Sequence, residues 1–274
     1  MQGNRDMLFN TGESDITLKA EYNPEGSTLR RAQYRMLEML DYLASVFKEI
    51  DVEWRLSDGS VLGAYRHKGF IPWDDDMDIC IHEKDVKRVK KYLLTHPHPQ
   101  FKLQCKETDS NFFERWMVLR DLESEYIIDS PMHNCRKYRG LQVDIFSERE
   151  GVVAPLFRFA KKVSGLNNYH LAGRIKWLPH VIWFMQTYLL HPIFNFISYC
   201  IGKRNRLAFS YGIQWFVPYS KEDVYPTVLA EFEGRKYPVP ANAQRVLMSK
   251  YGNDFMNLPP KESRNWHKAK IIFL

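Results

Sequence analysis

A run of acidic residues leads directly into an apolar segment in the first third of the chain. Asp74, Asp75, Asp76 and Asp78 come just before Ile79-Cys80-Ile81. Polar and apolar residues alternate from Asp76 onward, which predicts a strand with the Asp76 and Asp78 side chains on one face. Neighbouring carboxylates provide the oxygen ligands that hard divalent cations prefer. The segment therefore predicts a sheet that carries a metal-binding carboxylate pair.

Composition limits the class of protein but does not select a partner. The chain has 274 residues, of which 45% are hydrophobic, and this is enough for a substantial core in a domain with a sizeable insertion. A disordered chain is therefore excluded. The net charge of +6 suits an anionic ligand, a phosphate-rich acceptor or an acidic membrane surface.

Cysteine usage and the N-terminus favour a cytoplasmic protein. Cys80, Cys105, Cys135 and Cys200 are scattered, with no C-x-x-C pair or histidine at metal-ligand spacing. We expect neither structural zinc nor a disulfide framework. The first residues are polar and lack the apolar core of a signal peptide. We therefore expect a cytoplasmic protein, with association at the inner face of the membrane left open.

Periodicity predicts helices and strands in alternation after a loose lead-in over residues 1–26. Ser27 or Thr28 can cap an amphipathic helix from Leu29 to about Glu49. The further elements predicted are a strand at Glu53–Leu56, a helix at Val61–Tyr65, a helix at Glu83–Leu94, strands at Trp116–Leu119, Tyr126–Ile128, Leu141–Phe146 and Glu231–Val239, and a helix at Ala241–Tyr251, before a polar tail.

Asp144 is an isolated acid among apolar residues in the predicted strand Leu141–Phe146. Burying a carboxylate is costly unless something positive compensates it, and a metal ion would do so. The alternative is an acid that merely forms a turn at the end of a strand. We expect Asp144 to be the third ligand that the Asp76 and Asp78 pair requires.

The turn before the acids has features of a phosphate site. Gly59-Ser60 could meet a phosphate with its backbone N–H and its hydroxyl group. Arg66, His67 and Lys68 follow, and their charges or donors could hold a diphosphate. A solvated basic loop is the alternative, and the nearby carboxylates favour phosphate contact.

Aromatic residues accompany these motifs. Tyr65, Phe70, Trp73 and, further on, Trp116 could face a quaternary ammonium group through cation–π contact. For each residue taken singly, a place in the core is the favoured interpretation.

The middle of the chain, from about Gly151 to Tyr211, is helical in pattern, aromatic and poor in acids. The stretch Trp177–Gly202 is apolar, but prolines and polar residues interrupt it, so a spanning helix is disfavoured. Basic residues flank it, as in a surface-bound segment that would contact a membrane peripherally through residues 177–206. A buried helical hairpin is the alternative, and we favour it.

The stretch from Ser57 to Ile79, SDGSVLGAYRHKGFIPWDDDMDI, closely resembles the signature of the LicD family of phosphocholine transferases, which is related to fukutin. Further similarity lies in Leu29–Gln33, in Val143–Phe146 and from Phe232 to Met256. The resemblance spans residues 29 to 267, and the helical middle is its least typical part.

This resemblance implies an α+β fold of the nucleotidyltransferase type, similar to polymerase beta, with a small mixed sheet flanked by helices and a helical insertion. The catalytic core would cover residues 27–150, the aromatic-rich insertion 151–211, and a C-terminal part that completes the catalytic domain 212–274. The zinc-binding cysteines of the fukutin-related branch have no counterpart here, which favours the bacterial transferases.

The resemblance also implies an activity. LicD-type enzymes transfer phosphocholine from CDP-choline to a glycan, as in lipopolysaccharide or teichoic acid, or to its lipid-linked precursor, and release CMP. Mg²⁺, or alternatively Mn²⁺, is the implied cofactor. By position, Asp76 and Asp78 resemble the metal-binding pair, Asp144 the general base or second-metal ligand, and Asp74 an additional metal ligand. The residues expected to bind substrate are Gly59, Ser60, Arg66, His67, Lys68 and Trp73.

Other functions stay open at this stage. The same fold could use CDP-ribitol, CDP-glycerol or CDP-ethanolamine as donor. A catalytically silent nucleotide-binding or membrane-associated scaffold is a reading of another class, suggested by the aromatic stretch Trp177–Gly202. Nucleic acid is not an expected partner, because no basic stripe with interleaved aromatics accompanies the acids.

Overall fold

A computed structural model of the chain describes residues 8–213, 215–264 and 269–274. Its helices are α1 (Asp15–Tyr22), α2 (Thr28–Glu49), α3 (Asp58–His67), α4 (Val86–Thr95), α5 (Pro131–Asn134), α6 (Ala154–Gly165), α7 (Leu178–Met185), α8 (His191–Ile201), α9 (Lys221–Val224) and α10 (Ala243–Tyr251). Its strands are β1 (Trp54–Leu56), β2 (Asp78–His82), β3 (Phe101–Gln104), β4 (Met117–Asp121), β5 (Ser124–Ile127), β6 (Gln142–Glu150), β7 (Arg206–Phe209), β8 (Tyr219–Ser220), β9 (Val228–Phe232), β10 (Arg235–Val239) and β11 (Lys270–Phe273).

The main sheet is mixed, with strand order β1-β2-β6-β4-β3. β2 and β6 run parallel, whereas β1 pairs with β2, and β4 with both β6 and β3, in antiparallel fashion. The far end of β6 pairs with β7, which in turn pairs with β8. The predicted α+β architecture, a mixed sheet flanked by helices, is confirmed.

Helix α2 covers one face of this sheet, as its pattern predicts. Ser27 caps it by accepting a hydrogen bond from the Arg30 N–H at 3.1 Å. Its apolar stripe, which includes Leu40 and Phe47, lies in one buried core with Ile79 and Ile145 of the two central strands. Alternation along β2 and β6 therefore turns the neighbouring side chains, those of the predicted acids, to the opposite face.

The lead-in is not loose over the residues that the structure describes. Residues 1–7 lie outside them, but α1 forms behind a capping box between Ser14 and Thr17. Leu18 is completely buried, and Asp15 contacts His67 of α3. Short helices depend on tertiary contacts rather than on periodicity, so the sequence pattern did not reveal this one.

The predicted strand Glu231–Val239 is instead a hairpin formed by β9 and β10. Phe232 pairs with Arg235, so the turn consists of Glu233 and Gly234. Both turn residues have positive φ, at 52° and 73°, as a two-residue hairpin turn requires. The predicted polar tail also differs, because β11 pairs with β5.

The helical middle of the chain folds back on itself between α6 and α7, not within Trp177–Gly202 as predicted, because residues 178–201 form one uninterrupted helical run. It is also not buried. α6 continues into a π-helical stretch over Leu166–Leu171, and another such stretch, Gln186–Leu190, joins α7 to α8. Many apolar side chains on its outer side, including Trp177 and Phe196, are exposed. The prediction of burial is therefore wrong for this side. No described helix is long and apolar enough to cross a membrane.

Candidate active site

The parallel pairing of β2 with β6 brings two distant acids together. Asp78 is the first residue of β2, and in the register of the two strands it lies opposite Asp144. The Asp144 N–H donates to the Met77 carbonyl oxygen at 2.8 Å, which fixes this register. Both acids are buried. The structure thus places Asp144 next to Asp78, although 65 residues lie between them in the sequence.

Burial and mutual repulsion destabilise the charged forms of these carboxylates. The pKa of Asp78 is raised well above its usual range by burial first, and then by Asp76, Asp144 and Asp74. Burial likewise raises the pKa of Asp144 to about 7, with a further contribution from Asp76. The site therefore concentrates negative charge that the protein alone offsets only in part.

Asp76 approaches the other acids from a loop rather than from the strand. β2 begins at Asp78, where its pairing with β6 begins, so the prediction that Asp76 lies on the same strand is wrong. One carboxylate oxygen each of Asp74, Asp75 and Asp76 lies within 4.8 Å of the others. These acids and Asp78 thus share one end of the sheet.

Asp75 is a member of this group that the sequence analysis did not single out as a site residue. Its carboxylate accepts a hydrogen bond from the Tyr126 hydroxyl at 3.1 Å. Because the acidic run is a loop, it does not follow the period of two that would have separated Asp75 from Asp76. The run itself was the only signal for Asp75.

The Gly59-Ser60 turn positions an acid rather than standing open to a phosphate. The Gly59 N–H donates to the Asp78 carboxylate, and the Ser60 hydroxyl accepts from the Asp78 N–H at 2.9 Å. A Cβ atom at Gly59 would lie 3.1 Å from Asp74 Oδ2, so glycine leaves room for the acids. The start of α3 therefore holds the first residue of β2 at two points.

The three basic residues at the end of α3 have different surroundings. Arg66 is the one that interacts electrostatically with Asp74, and it donates to the Phe255 carbonyl oxygen at 3.3 Å. Both ring nitrogens of His67 are engaged inside the protein, with Asp15 at 2.5 Å and Arg66 at 2.9 Å. Lys68 forms an ion pair with Glu231 of β9 at 3.4 Å.

These contacts argue against His67 as a ligand of the diphosphate, whereas the role predicted for Lys68 stays a prediction. His67 is buried, and burial lowers its pKa to about 4, so the ring is neutral at neutral pH. Lys68 is bound to the hairpin. Arg66 is the member of the three that the structure places toward the acids.

Trp73 was expected to bind substrate, but its ring also contacts other residues of the protein. Its ring lies 5.3 Å from that of Tyr22, and the Arg264 guanidinium stacks over it at 4.9 Å. Trp73 and Asp75 together line a cavity of about 260 Å³ beside the start of α2. The face of Trp73 that could attract a cation therefore already has one.

Sequence reasoning missed the cations that border the site. Arg120 and Arg136 both lower the pKa of Asp144 and so oppose the effect of its burial. Arg120 is completely buried, and its guanidinium donates to Gln104 Oε1 at 2.7 Å. Alternation in β4 could have placed Arg120 on the face of Asp144, because Val118, two residues before it, is opposite Asp144 in the register.

Lys250 of α10 is a further cation at this end of the sheet, and it forms an ion pair with Asp58 at the start of α3. Its ammonium group lies 5.6 Å from the ring centroid of Phe209 and 5.5 Å from that of Trp215. Burial lowers its pKa to about 7. Nothing in the local sequence around Lys250 indicates this position, which depends on the packing of α10 against α3.

Comparison with known proteins identifies the domain that contains these acids. Residues 51–154 match the model of the LicD/FKTN/FKRP nucleotidyltransferase domain. The lipopolysaccharide cholinephosphotransferase LicD of Haemophilus influenzae is 24% identical over 265 residues, which cover 90% of this chain and 98% of the relative. The human ribitol 5-phosphate transferase FKRP is 43% identical over 49 residues, which cover 18% of this chain and 10% of that protein.

Proposed function

Since this chain belongs to the LicD family, we propose that it transfers phosphocholine from CDP-choline to a hydroxyl group of a surface glycan or its lipid-linked precursor, and releases CMP. The observation that carries the proposal is the register of Asp78 with Asp144 on adjacent parallel strands, with Asp76 beside them. This register occurs in a chain that is similar over 90% of its length to a lipopolysaccharide cholinephosphotransferase.

The acids suit a hard divalent cation, Mg²⁺ or Mn²⁺. Their donors are carboxylate oxygens, and their buried negative charges raise the pKa values of Asp78 and Asp144. We propose that Asp76, Asp78 and Asp144 hold the cation, with Asp74 as a further ligand. When bound, the cation would offset the negative charge of the donor diphosphate.

The remaining chemistry is a displacement at phosphorus. The acceptor hydroxyl oxygen forms a bond to the phosphorus of phosphocholine, and the bond from that phosphorus to the oxygen of CMP breaks. We assign the hydroxyl proton to Asp144, which lies on the same face as Asp78. Arg66, which already interacts with Asp74, would contact the phosphates of the nucleotide.

Aromatic rings on the acid-bearing face of the sheet could bind the trimethylammonium group. Phe146 lies two residues after Asp144 in β6, and its ring centroid is 5.4 Å from that of Trp116 and 5.9 Å from that of Trp215. Trp215 is exposed, so one side of this group of rings is accessible. The Lys250 ammonium lies 5.5 Å from the Trp215 centroid, so a cation is already near this group of rings, as one is near Trp73. We propose that these rings contact choline, with Trp73 as the alternative.

The proposal is tested by incubating the full chain with CDP-choline, Mg²⁺ and a glycan acceptor and measuring CMP release. We expect release from the wild type and none from Asp78→Ala. Asp129→Asn is the matched control, because Asp129 is an exposed acid outside the site, and it should release CMP at the wild-type rate. Equal turnover in Asp78→Ala would contradict the proposal.

A second donor is favoured by one observation, the 43% identity to a ribitol 5-phosphate transferase over 49 residues. CDP-ribitol, CDP-glycerol and CDP-ethanolamine should therefore be compared with CDP-choline by thermal shift and by CMP release. A donor that binds the folded state raises its stability. Stabilisation by a nucleotide with no CMP release from any donor would identify a silent binding protein instead.

A further inference from the structure

Helices α7 and α8, joined by a π-helical stretch and called the helix pair below, expose many of their apolar side chains to solvent. Apolar residues recur every three to five positions along its outer side, with the step of five at the π-helical stretch, as in Val181, Phe184, Tyr188, Ile193, Phe196 and Tyr199. Three of these rings are among the more exposed in the described chain: Phe184 is 54% exposed, Phe196 68% and Tyr199 67%. The spacing places them on one side of the helix.

The inner side of the same helix pair carries most of its hydrogen-bonding groups, next to the buried ring of Phe194. Gln186 donates to the Ser164 hydroxyl of α6 at 2.9 Å, and the Arg115 guanidinium donates to Thr187 at 2.6 Å. The hydroxyl groups of Ser198 and Tyr211 lie 2.5 Å apart. The helix thus buries its hydrogen-bonding groups against the protein and presents its rings outward, which is the opposite of a helix that packs on a soluble core.

The charged residues of the sequence segment that carries this outer face have a single sign. The sequence has no Asp or Glu between Glu150 and Glu222. We call the exposed basic residues before and after the helix pair in sequence its basic border, namely Arg158, Lys161, Lys162, Arg174, Lys176, Lys203, Arg204 and Arg206. An apolar face on a segment whose charged residues are all basic complements a surface that is apolar below and negative above, as a bilayer with anionic headgroups is.

We infer that the outer face of α7 and α8 docks in the plane of an anionic lipid bilayer. The rings of Phe184, Phe196 and Tyr199 would enter the boundary between headgroups and acyl chains, and the basic border would contact lipid phosphates. A spanning helix is not needed, and no described helix could span. A second copy of the chain is a poorer occupant, because two such faces would bring their positive borders together.

The position of this face in the fold connects it to the acids. Phe157 of α6 and Phe194 of α8 share a buried cluster with Phe146, on the face of the sheet that carries Asp78 and Asp144. Docking would therefore hold the acids close to the bilayer. The docking itself does not depend on the proposed activity, and the two can fail separately.

The test is co-sedimentation of the full chain with vesicles of phosphatidylcholine alone or mixed with phosphatidylglycerol. We expect the wild type to bind the mixed vesicles and to bind phosphatidylcholine weakly. The double variant Phe184→Glu/Phe196→Glu should bind the mixed vesicles at least about tenfold more weakly, because two rings no longer enter the interface. The matched control is Ile16→Glu/Leu229→Glu, at residues that are 58% and 67% exposed outside this face, and it should bind like the wild type.

A second variant addresses the charge and leaves Arg204 in place, because Arg204 donates to the Tyr199 carbonyl oxygen of α8 at 2.9 Å. Lys203→Gln/Arg206→Gln should weaken binding to mixed vesicles by about fivefold for each charge removed. All variants should release CMP from CDP-choline in solution at the wild-type rate, so loss of docking is distinguishable from loss of the proposed activity.

Three results would overturn the inference. The wild type could ignore the anionic vesicles, or the ring variant and its control could bind them equally. Gel filtration could instead show a wild-type dimer that Phe184→Glu/Phe196→Glu dissociates, in which case the face is an interface between copies of the chain.

Discussion

The acid-bearing end of the sheet and the outer face of α7 and α8 depart from the usual distribution of residues in opposite directions. In the first region, Asp78 and Asp144 are charged groups that the fold buries. In the second, Phe196 and Tyr199 are large apolar groups that the fold exposes. A buried charge and an exposed apolar face both cost free energy in the isolated chain.

The comparison indicates that each region is suited to binding a partner that is not part of the chain. Arg120 and Arg136 offset only part of the charge on Asp144, whose pKa is still raised to about 7. The basic border of the helix pair likewise leaves its rings uncovered. A cation with its nucleotide would relieve the first cost, and a lipid surface the second. Folding and binding should therefore respond differently to substitution in the two regions.

The largest effect is expected for Asp144→Asn. Turnover should fall by at least about a thousandfold, because the substitution removes both a proposed ligand and the proton acceptor. The free energy of unfolding should stay the same or rise, since one of several mutually repelling buried charges is lost. CMP release and urea unfolding measure the two quantities. A large loss of stability would show that the acid is structural, and the comparison would then fail.

Removal of divalent cations is the next test. EDTA should abolish turnover, and Mg²⁺ or Mn²⁺ should restore it. At a concentration one hundred times its dissociation constant, the cation should stabilise the folded wild type by about 2.7 kcal/mol by mass action. Thermal unfolding with and without Mg²⁺ measures this. An equal gain in Asp78→Asn would place the cation elsewhere.

Gly59→Ala should have an intermediate effect. The added Cβ atom would lie 3.1 Å from Asp74 Oδ2, so the acid must shift by a few tenths of an ångström. We expect turnover to fall by about tenfold to a hundredfold, as small displacements of catalytic groups do. Gly234→Ala, with nothing within 4 Å of its added Cβ but a positive φ, is a control for backbone strain far from the acids. Wild-type turnover in Gly59→Ala would show that this contact does not matter.

The smallest effects should distinguish the two sides of the helix pair. Gln186→Ala removes a buried hydrogen bond to Ser164 and should lower the free energy of unfolding by about 1 to 3 kcal/mol. Phe184→Ser, on the exposed side, should change it by no more than about 0.5 kcal/mol. Urea unfolding of the two variants makes the comparison. A larger loss for Phe184→Ser would mean that its ring packs within the protein.

Much of the sheet and of the acid cluster could be predicted from local pattern. The period of α2 and the apolar strands around Ile79 and Ile145 identify the core, and the single acid in the predicted strand Leu141–Phe146 indicates Asp144. What brings Asp144 to Asp78 is the parallel register of two strands, which no local pattern specifies. We expected Asp144 to lie beside Asp78 because a metal ion needs a third ligand and because the family resemblance implies it.

The failures concern features that depend on tertiary contacts. His67 reads as a loop cation, but its burial against Asp15 requires α1, which the sequence pattern did not reveal. Lys250 depends on how α10 packs. The apolar stretch Trp177–Gly202 was assigned to a buried hairpin because apolar residues are usually inside, and its polar residues were treated as interruptions rather than as the inner face. Reading the two faces separately would have shown the reversal.

The central claim is that Asp78 and Asp144, with Asp76, bind a divalent cation against the donor diphosphate. It is tested most directly by titrating the full chain with Mn²⁺ in the presence of CDP-choline and measuring free Mn²⁺ by electron paramagnetic resonance. The account predicts bound Mn²⁺ in the wild type and in Asp129→Asn, with that binding lost in Asp78→Asn and in Asp144→Asn. Equal Mn²⁺ binding in all four proteins would contradict it.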